Sequence, residues 1–452
     1  MPRLAHHTPS LADPQATSSH PDLWTTEVVP QLPADLELQA RHHRAFCRKR
    51  GLASATDLLR AILAYVLDHM SVRQWGAWAV LVGLADISEA AWRKRLRRSS
   101  AFLLWLLGEL LSPAAAPTAL FPQARGRILL VDATRLRVPG GTGDDWHLHT
   151  AYDLVAARLV QVALTDRSGG EHLGHYALGP HDIVVADNGY GYRRSIALVR
   201  KQQAHGVFRI HPSTFPLETA EAARFDTLAW LRRAGPAVRD WCGWCRDADG
   251  ERYPLRLIAA KLPPAEAAAA RRRARQKAQD HGRTLSAATL LVAGWVLLIT
   301  TLDATSWQAA DILRLYRARW QVELVYKRMK QILDLNQLRC VQRESVEACV
   351  RALLIAWALQ EAEAALIRRH LGQLGQQATV VLSSWLLTSL CLATLRQQVR
   401  GHWSQARVRA CLPRLLRFLS SRRTREHQET SVRAWLEQRR RTRPRVQQRA
   451  AE

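Results

Sequence analysis

The sequence predicts an α/β protein whose mixed-sheet core is flanked by helical regions on its N-terminal and C-terminal sides. Three observations predict this fold class. Short apolar and β-branched segments of strand length cluster between residues 127 and 211. Long segments before and after them repeat apolar residues with the helical period. A hydrophobic content of 48% over 452 residues is enough for a sizeable core.

The segment 23–120 is predicted to be helical and to form a DNA-binding region. Its stretch SVRQWGAWAVLVGLADISEAAWRKRLRRSSAFLLWLLGELL predicts two helices that separate at Gly83–Asp86, with Ser88 as the N-cap of the second. That second helix carries a run of cations between Arg93 and Arg98. A helix, a short turn and a basic helix suit a helix-turn-helix reader of DNA. They suit a helical bundle with a solvated basic face equally well.

Residues 121–335 form the predicted core. Its strands are RILLVDATRL, WHLHTAYDL, RLVQVALTD, DIVVADNG and GVFRIH, and a helix over Tyr192–His205 precedes the last of them. The connection from about 212 to 300 is too long for a structureless loop and predicts an inserted subdomain. It contains an Ala/Arg-rich helix over Pro264–His281 and ends in LLVAGWVLLITTL, which predicts a further strand.

The two ends of the chain differ in composition. Residues 336–420 again have helical spacing, and residues 421–452 form a basic, loosely ordered tail. Residues 1–22 lack the apolar run of a signal peptide and predict a disordered leader.

The charge of the chain indicates a polyanionic partner. Its 65 Lys and Arg against 39 Asp and Glu give a formal charge of +26, and the arginines run through the whole length. Nucleic acid is the commonest polyanion that such a protein binds. A membrane is the rival partner, but the apolar run Leu290–Leu302 is too short to span a bilayer. The sequence therefore favours nucleic acid and no membrane.

Seven cysteines without a regular framework favour a reducing compartment, and we expect the cytoplasm. Cys242 and Cys245 in WCGWC could be half of a zinc site or a redox pair. No second pair follows at zinc spacing, which favours reduced core cysteines.

Two aspartates lie where apolar strands carry them toward a common edge. Asp132 follows four apolar residues in RILLVDATRL, and Asp187 stands where DIVVADNG meets a glycine turn. A buried aspartate is costly unless a cation or hydrogen-bond donors neutralise it. Each could equally be a turn or salt-bridge residue. Composition cannot choose between these two and the neighbouring acids Asp144, Asp145 and Asp153.

A third acid lies in LYRARWQVELVYKRMKQIL, which predicts one helix over Leu315–Leu333. Four of its residues, Tyr316, Arg319, Glu323 and Lys330, fall within roughly 60° of one another on that helix. One carboxylate beside a phenol and two cations is suited to handling a phosphodiester. An ordinary solvated face with i,i+4 pairs is the alternative.

Together these segments resemble the DDE transposases of bacterial cut-and-paste insertion sequences, specifically the insertion-sequence-four type. The helix matches the family pattern Tyr-x2-Arg-x3-Glu-x6-Lys without a gap, Asp187 stands in Asp-x-Gly-Tyr form, and Asp132 stands in an apolar strand. The resemblance covers about residues 127–335. It implies an RNase H-like core interrupted by an insertion subdomain before the last catalytic helix.

The resemblance also implies site residues and a cofactor. Asp132, Asp187 and Glu323 would be the catalytic triad and hold two Mg²⁺ ions, for which Mn²⁺ may substitute; hard cations prefer such oxygen ligands. Tyr316, Arg319 and Lys330 would bind phosphates. Supporting DNA contacts would come from Trp295, stacking on a flipped base, and from Arg209. Without the family context, Trp295 would be a core residue and Tyr316 would pack the helix start.

The implied activity is cut-and-paste transposition. One strand is hydrolysed at the element end, and the freed 3′-hydroxyl attacks the other strand to form a hairpin, which is reopened and joined to target DNA. The implied partners are the terminal inverted repeats, target DNA and a second copy of the chain, in a bacterial cytoplasm at the nucleoid. Two alternatives remain open: an RNase H-like metal nuclease without strand transfer, and a transposase-derived DNA-binding protein.

Overall fold

The computed structural model describes residues 22–49, 51–112, 126–141, 145–373 and 382–419. Residues 1–21 of the predicted leader and the whole predicted tail lie outside these ranges, as does Asp144.

The N-terminal region is helical. After a π-helical turn at Trp24–Val28 and a 3₁₀ turn at Val29–Gln31, five helices follow: α1 (Leu36–His42), α2 (Ala55–Leu67), α3 (Val72–Leu81), α4 (Glu89–Arg98) and α5 (Ser100–Leu111). Ser88 caps α4 by accepting a hydrogen bond from the backbone of Ala91, as predicted. The prediction of two helices for this stretch is wrong, because the chain turns again at Ser99 and forms a third helix. The side chain of Ser99 bonds the carbonyl of Arg95, which helps to end α4 there.

Eight strands form the central sheet. They are β1 (Ile128–Leu136), β2 (Trp146–Asp153), β3 (Arg158–Asp166), β4 (Ile183–Ala186), β5 (His205–Arg209), β6 (Val238–Arg246), β7 (Arg252–Lys261) and β8 (Trp295–Thr300). Their spatial order is β3-β2-β1-β4-β5-β8-β7-β6. Strands β1, β4 and β5 are parallel, and the remaining pairs are antiparallel. The five strands predicted between residues 127 and 211 are all confirmed.

Helices connect and cover the strands. They are α6 (Arg193–Lys201), α7 (Thr227–Arg232), α8 (Pro264–Asp280), α9 (Ala287–Val292), α10 (Ala309–Ala318) and α11 (Trp320–Gln331). The strand predicted over Leu290–Leu302 is shorter than expected, since its first residues close α9 and β8 begins at Trp295. The single helix predicted over Leu315–Leu333 is two helices. The carbonyl of Tyr316 accepts the backbone N–H of Arg319, and the carbonyl of Arg319 accepts that of Val322. These bonds span three residues instead of four, and they interrupt the α-helical hydrogen bonding at Arg319.

The segment between β5 and α10 contributes to the same sheet as the rest. Strand β8 pairs with β5 on one side and with β7 on the other, so the β6–β7 hairpin extends the sheet by two strands. Helices α8 and α9 lie between β7 and β8 along the chain.

The two faces of the sheet pack into different hydrophobic cores. One core joins β1, β2, α10 and α11 to the N-terminal helices and to the long helix α12 (Arg343–Gln373). The other is formed by α6, the opposite faces of β4, β5, β7 and β8, and part of the segment after β5. Helices α13 (Ser384–Arg400) and α14 (Gln405–Leu419) pack against α12 and α3 respectively. Among the described residues, no helix is both long and apolar enough to cross a membrane.

Candidate active site

Asp132 and Asp187 lie side by side because of the register of two parallel strands. Leu130 of β1 is paired with Val185 of β4, so the residues two positions further on are level and face the same side. Asp132 lies within β1, and Asp187 follows the last residue of β4. The strand register therefore sets these two acids next to each other at the same edge of the sheet.

The carboxyl group of Asp132 is strongly perturbed. Burial raises its pKa to about 7, and the nearby charge of Asp187 raises it further, against a hydrogen bond from the backbone of Ala133 at 2.9 Å and the charge of Arg319. A carboxyl group with this pKa is half protonated near neutrality, so a nearby cation would favour its charged form.

Glu323 reaches the same place from α11 through an arginine. Arg319 lies at the junction of α10 and α11, and its Nη2 is 2.5 Å from Oε1 of Glu323. Its Nη1 is 3.8 Å from Oδ2 of Asp132. The guanidinium thus bridges the helix-borne acid and the strand-borne acid, and it lies 5.8 Å from the centroid of the Tyr316 ring. The three predicted carboxylates therefore share one site with Arg319 and Tyr316.

Three buried tyrosines support β1 beneath the carboxylates. The hydroxyl of Tyr326 donates to the backbone carbonyl of Asp132 at 2.7 Å, and that of Tyr176 donates to the same oxygen at 3.2 Å. Tyr176 also contacts the hydroxyl of Tyr190 at 3.1 Å, and Tyr326 contacts Thr150 on β2 at 2.7 Å. Burial raises the pKa of all three phenols, which keeps them as neutral hydrogen-bond donors. Sequence reasoning missed Tyr176 and Tyr326, since nothing in their local sequence indicates a bond to β1.

Tyr316 and Arg209 lie at the edge of the site. Burial raises the pKa of Tyr316, and the nearby charges of Arg319 and Arg209 oppose that rise. Arg209 is exposed at the end of β5, opposite Leu298 on β8. A cation at the end of β5 and a phenol on α10 thus face the region next to the carboxylates.

Lys330 is farther from the carboxylates than the other predicted residues. It follows Glu323 by seven residues, which corresponds to about 10 Å along a helix axis. It is half-buried, and burial lowers the pKa of its amine. Within the described residues it forms no hydrogen bond or ion pair with Asp132, Asp187 or Glu323. The structure therefore places it on the same helix as Glu323 but not among the bridged groups.

Trp295 is a core residue in this conformation. It is 6% exposed at the start of β8, and the guanidinium of Arg239 lies 5.0 Å from its ring centroid. The carbonyls of Trp230 and Arg233 hold that guanidinium at 2.5 and 2.6 Å. One face of the indole is therefore occupied by a well-anchored cation instead of open to a base.

The donor set suits a hard cation, although its members are not gathered around one point. Asp132, Asp187 and Glu323 offer oxygen ligands, which Mg²⁺ and Mn²⁺ prefer. In the part of the chain that the structure describes, no group of three or more His, Cys, Asp or Glu is arranged so that it could hold a metal ion. The pairing of Glu323 with Arg319 is one cause, because that contact takes up an oxygen that a metal would need.

The competing acids and the cysteine pair have structural roles. Asp153 accepts the backbone N–H groups of Val155 and Ala156 in the β2–β3 turn, and Asp145 accepts that of Val138. Cys242 is exposed and Cys245 is buried on β6, as strand residues three apart point to opposite faces. These two thiols cannot share one metal ion while β6 keeps this form.

The basic helix α4 presents its cations to solvent. It buries Trp92 and Leu96, whereas Lys94, Arg97 and Arg98 are exposed. This exposed basic surface suits phosphate contacts.

Comparison with known proteins places related chains beside this one. A family model described as the transposase DDE domain matches residues 123–359. The transposase InsL for insertion sequence element IS186A of Escherichia coli strain K12 is 35% identical to this chain. The match covers 72% of this chain and 89% of InsL. The transposase for insertion sequence element IS421 of Escherichia coli is also 35% identical, with the same coverage. The transposase for element IS231F of Bacillus thuringiensis subsp. israelensis is 30% identical over 24% of this chain and 23% of its own length.

The matched region runs from just before β1 into α12 and so contains Asp132, Asp187, Glu323 and Arg319. The family model matches more than half of the chain, and two Escherichia coli transposases are 35% identical over 72% of it. The chain therefore belongs to the insertion-sequence transposases with a DDE domain.

Proposed function

We propose that this transposase is of the insertion-sequence-four type and moves its element by cutting and pasting DNA. The observation that carries the proposal is the single site formed by Asp132, Asp187 and Glu323 with Arg319 between two of them. The helix pattern of Tyr316, Arg319, Glu323 and Lys330 supports the type. An RNase H-like core is supported by the strand order β3-β2-β1-β4-β5, in which β1, β4 and β5 run parallel. The segment from about 212 to 300 is the insertion in that core.

The three carboxylates would hold two Mg²⁺ ions, with Mn²⁺ as a substitute. When bound, these ions activate the attacking oxygen and stabilise the leaving one in phosphoryl transfer. The chain's own task is to supply and orient the ligands. The strand register sets Asp132 beside Asp187, the tyrosines fix the backbone of Asp132, and Arg319 keeps Glu323 nearby until a cation takes its place.

The cations around the site would hold the DNA backbone. We assign phosphate contacts to Arg319, Tyr316, Arg209 and Lys330, because charge-assisted bonds to phosphate oxygens position DNA without reading its sequence. Arg319 would exchange its carboxylate partners for a phosphate when the metal ions neutralise those carboxylates.

A hairpin intermediate is the finer part of the proposal. Trp295 would stack on a flipped base, which requires Arg239 to leave the face of the indole that it now covers. That cover is the one observation favouring the second candidate function, a metal nuclease without strand transfer. A DNA-binding protein without catalysis is disfavoured, since all three acids are present and adjacent.

The partners would be the terminal inverted repeats, target DNA and a second copy of the chain. Apolar side chains exposed on the C-terminal helices, among them Leu366, Leu386 and Leu390, support dimerisation through this region. A monomeric mass by light scattering in the presence of element-end DNA would contradict the dimer.

The test of the carboxylate site is DNA cleavage by a matched pair of variants. The substrate is a duplex carrying the end of the host element, incubated with Mg²⁺. We expect Asp187→Asn to abolish nicking, because it removes a charged ligand while keeping the shape of the side chain. Asp249→Asn, an exposed acid in the β6–β7 turn, should nick as well as the wild type. Equal nicking by both variants would overturn the assignment.

A further inference from the structure

We propose that Glu171 is a fourth carboxylate of this site and a further ligand for its divalent metal ions. This inference rests on the proposed function, since it deepens the same site. Nothing in the pattern that matches the transposase family includes Glu171. It follows β3 in the connection that leads to β4, shortly before the 3₁₀ turn at Leu173–His175.

Neighbouring histidines hold the backbone before Glu171 in place. His147 on β2 bonds the carbonyl of Gly169 through Nδ1 at 2.8 Å. His175 bonds the carbonyl of Gly170 through Nε2 at 2.9 Å. Because both contacts are to the two residues just before it, Glu171 starts from a fixed position beside the sheet rather than from an unconstrained loop.

Gly189 shows how close the carboxyl groups of Glu171 and Asp187 are. A methyl group built on Gly189 would overlap Oε2 of Glu171 and would lie only 3.1 Å from Oδ1 of Asp187. Gly189 is not among the glycines with positive φ, so its backbone conformation does not require glycine. The carboxyl end of Glu171 occupies the space above the Cα of Gly189, and a side chain at this position would have to displace it.

The electrostatics agree with this proximity. The charge of Asp187 acts on Glu171, and the charge of Glu171 acts on Asp132, so the three carboxylates lie within electrostatic reach of one another. Like charges this close repel one another unless a cation joins them.

Glu171 lacks the bonded arginine that the buried Asp182 and the half-buried Glu218 have. Asp182 is bonded to Arg127 at 2.6 Å, and Glu218 is bonded to both Arg246 and Arg252 at 3.0 Å. Within the described residues, the side chain of Glu171 forms no hydrogen bond and no ion pair. In the described part of the chain, the charges of His147 and Arg135 act on Glu171 without an ion pair to it. A half-buried carboxylate that lies beside Asp187 in this way is suited to a bound cation.

Binding of Mn²⁺ to the full-length protein without DNA tests the inference separately from catalysis. Calorimetric titration with Mn²⁺ would compare the wild type with Glu171→Gln, Asp187→Asn and Glu266→Gln, an exposed acid on α8. We expect Glu171→Gln to weaken Mn²⁺ binding by about tenfold or more, Asp187→Asn to weaken it at least as much, and Glu266→Gln to leave it unchanged.

Thermal melting in metal-free buffer separates a ligand from a structural residue. Removing a charge that repels Asp187 should leave the melting temperature of Glu171→Gln equal to or above that of the wild type. A lower melting temperature would indicate a structural role and overturn the inference. Gly189→Ala offers a second variant, which should weaken Mn²⁺ binding by displacing Glu171 while Glu171 itself is intact.

The outcomes distinguish this inference from the proposed function. If Asp187→Asn weakens Mn²⁺ binding and Glu171→Gln does not, the assignment of Glu171 is wrong and the triad stands. If the wild type binds no Mn²⁺, or if neither variant changes its binding, both the metal site and the role of Glu171 are wrong.

Discussion

At the scale of single residues, Arg319 is the partner of the acid that stands among cations on α11. Glu323 lies one helical turn from Arg319, which bonds it at 2.5 Å and also faces Asp132 at 3.8 Å. Without such a cation, Glu323 and Asp132 would repel each other across a partly buried space. The same guanidinium thus offsets the repulsion between the two acids, and in the proposed function it would contact a phosphate.

The phenol of Tyr326 gives a test of how Asp132 is held. Tyr326→Phe removes the 2.7 Å bond to the carbonyl of Asp132, which should lower the free energy of unfolding by about 1–2 kcal/mol. It should also slow DNA cleavage, because the backbone that carries Asp132 loses its shorter anchor. Tyr192→Phe, at a tyrosine that is 43% exposed, is the control. Thermal melting and the cleavage rate measure the two effects, and a Tyr326→Phe variant equal to the control would refute the anchoring role.

The family resemblance selects Asp132, Asp187 and Glu323 from the sequence as proposed metal ligands, but it does not reveal the residues that support them. Tyr176, Tyr326 and Glu171 act through partners that lie more than ten residues away, and only the strand pairing brings them together. Trp295 shows the opposite limit. The family resemblance implies a base platform there, whereas in the structure Arg239 of β6 covers the indole ring.

At the scale of helices and strands, the site depends on the alignment of β1 with β4 and on the junction of α10 with α11. The sequence predicted the strands well because each one is a short apolar run with turn residues on both sides. It predicted one helix where there are two, because Tyr316–Glu323 has no proline or glycine to mark the interruption. That interruption is made by backbone bonds at Arg319, which periodicity does not reveal.

Helix α12 carries an acid that makes the stability of the sheet contact depend on pH. Glu361 accepts the backbone N–H of Leu159 on β3 at 3.2 Å, and burial raises its pKa to about 7. The folded protein therefore keeps this proton to a higher pH than the unfolded chain, whose glutamates titrate near about 4.3. The stability that the proton on Glu361 contributes is fully present below about pH 4.3. It is lost as the pH rises to about 7.

The variant Glu361→Gln should remove this dependence. At pH 8 we expect it to be more stable than the wild type by about 1–3 kcal/mol, and at pH 4 we expect the two to be similar. Melting temperatures measured across this range, with Glu344→Gln as an exposed control on the same helix, give the comparison. A wild type that gains stability over Glu361→Gln as the pH rises would show that the sign is wrong.

At the scale of the whole molecule, a formal charge of +26 suits a protein that binds DNA along much of its surface. Composition predicted this partner without locating the contacts, because exposed arginines occur on α4, α8 and α14 alike. The salt dependence of binding can locate them, since each phosphate contact releases a counterion.

The double variant Lys94→Gln/Arg98→Gln tests whether α4 contacts phosphates. These exposed cations lie one turn apart on the same side of α4. Affinity for an element-end duplex is measured by fluorescence anisotropy over a range of salt. If both contact phosphates, the slope of log K against log salt should become shallower by about 1.8. The variant Arg409→Gln/Arg414→Gln removes the same charge from α14, and equal slopes for both variants would favour a solvated basic face on α4.

The measurement that tests the central claim most directly is Mg²⁺-dependent cleavage of the host element's own end, resolved on a denaturing gel that separates hairpins from nicked strands. Wild type would be compared with Glu323→Ala and with Glu344→Ala, an exposed acid at the start of α12. We expect nicked and hairpin products from the wild type and Glu344→Ala, and neither product from Glu323→Ala. Cleavage by Glu323→Ala at the wild-type rate, or DNA binding by the wild type without any cleavage, would contradict that claim.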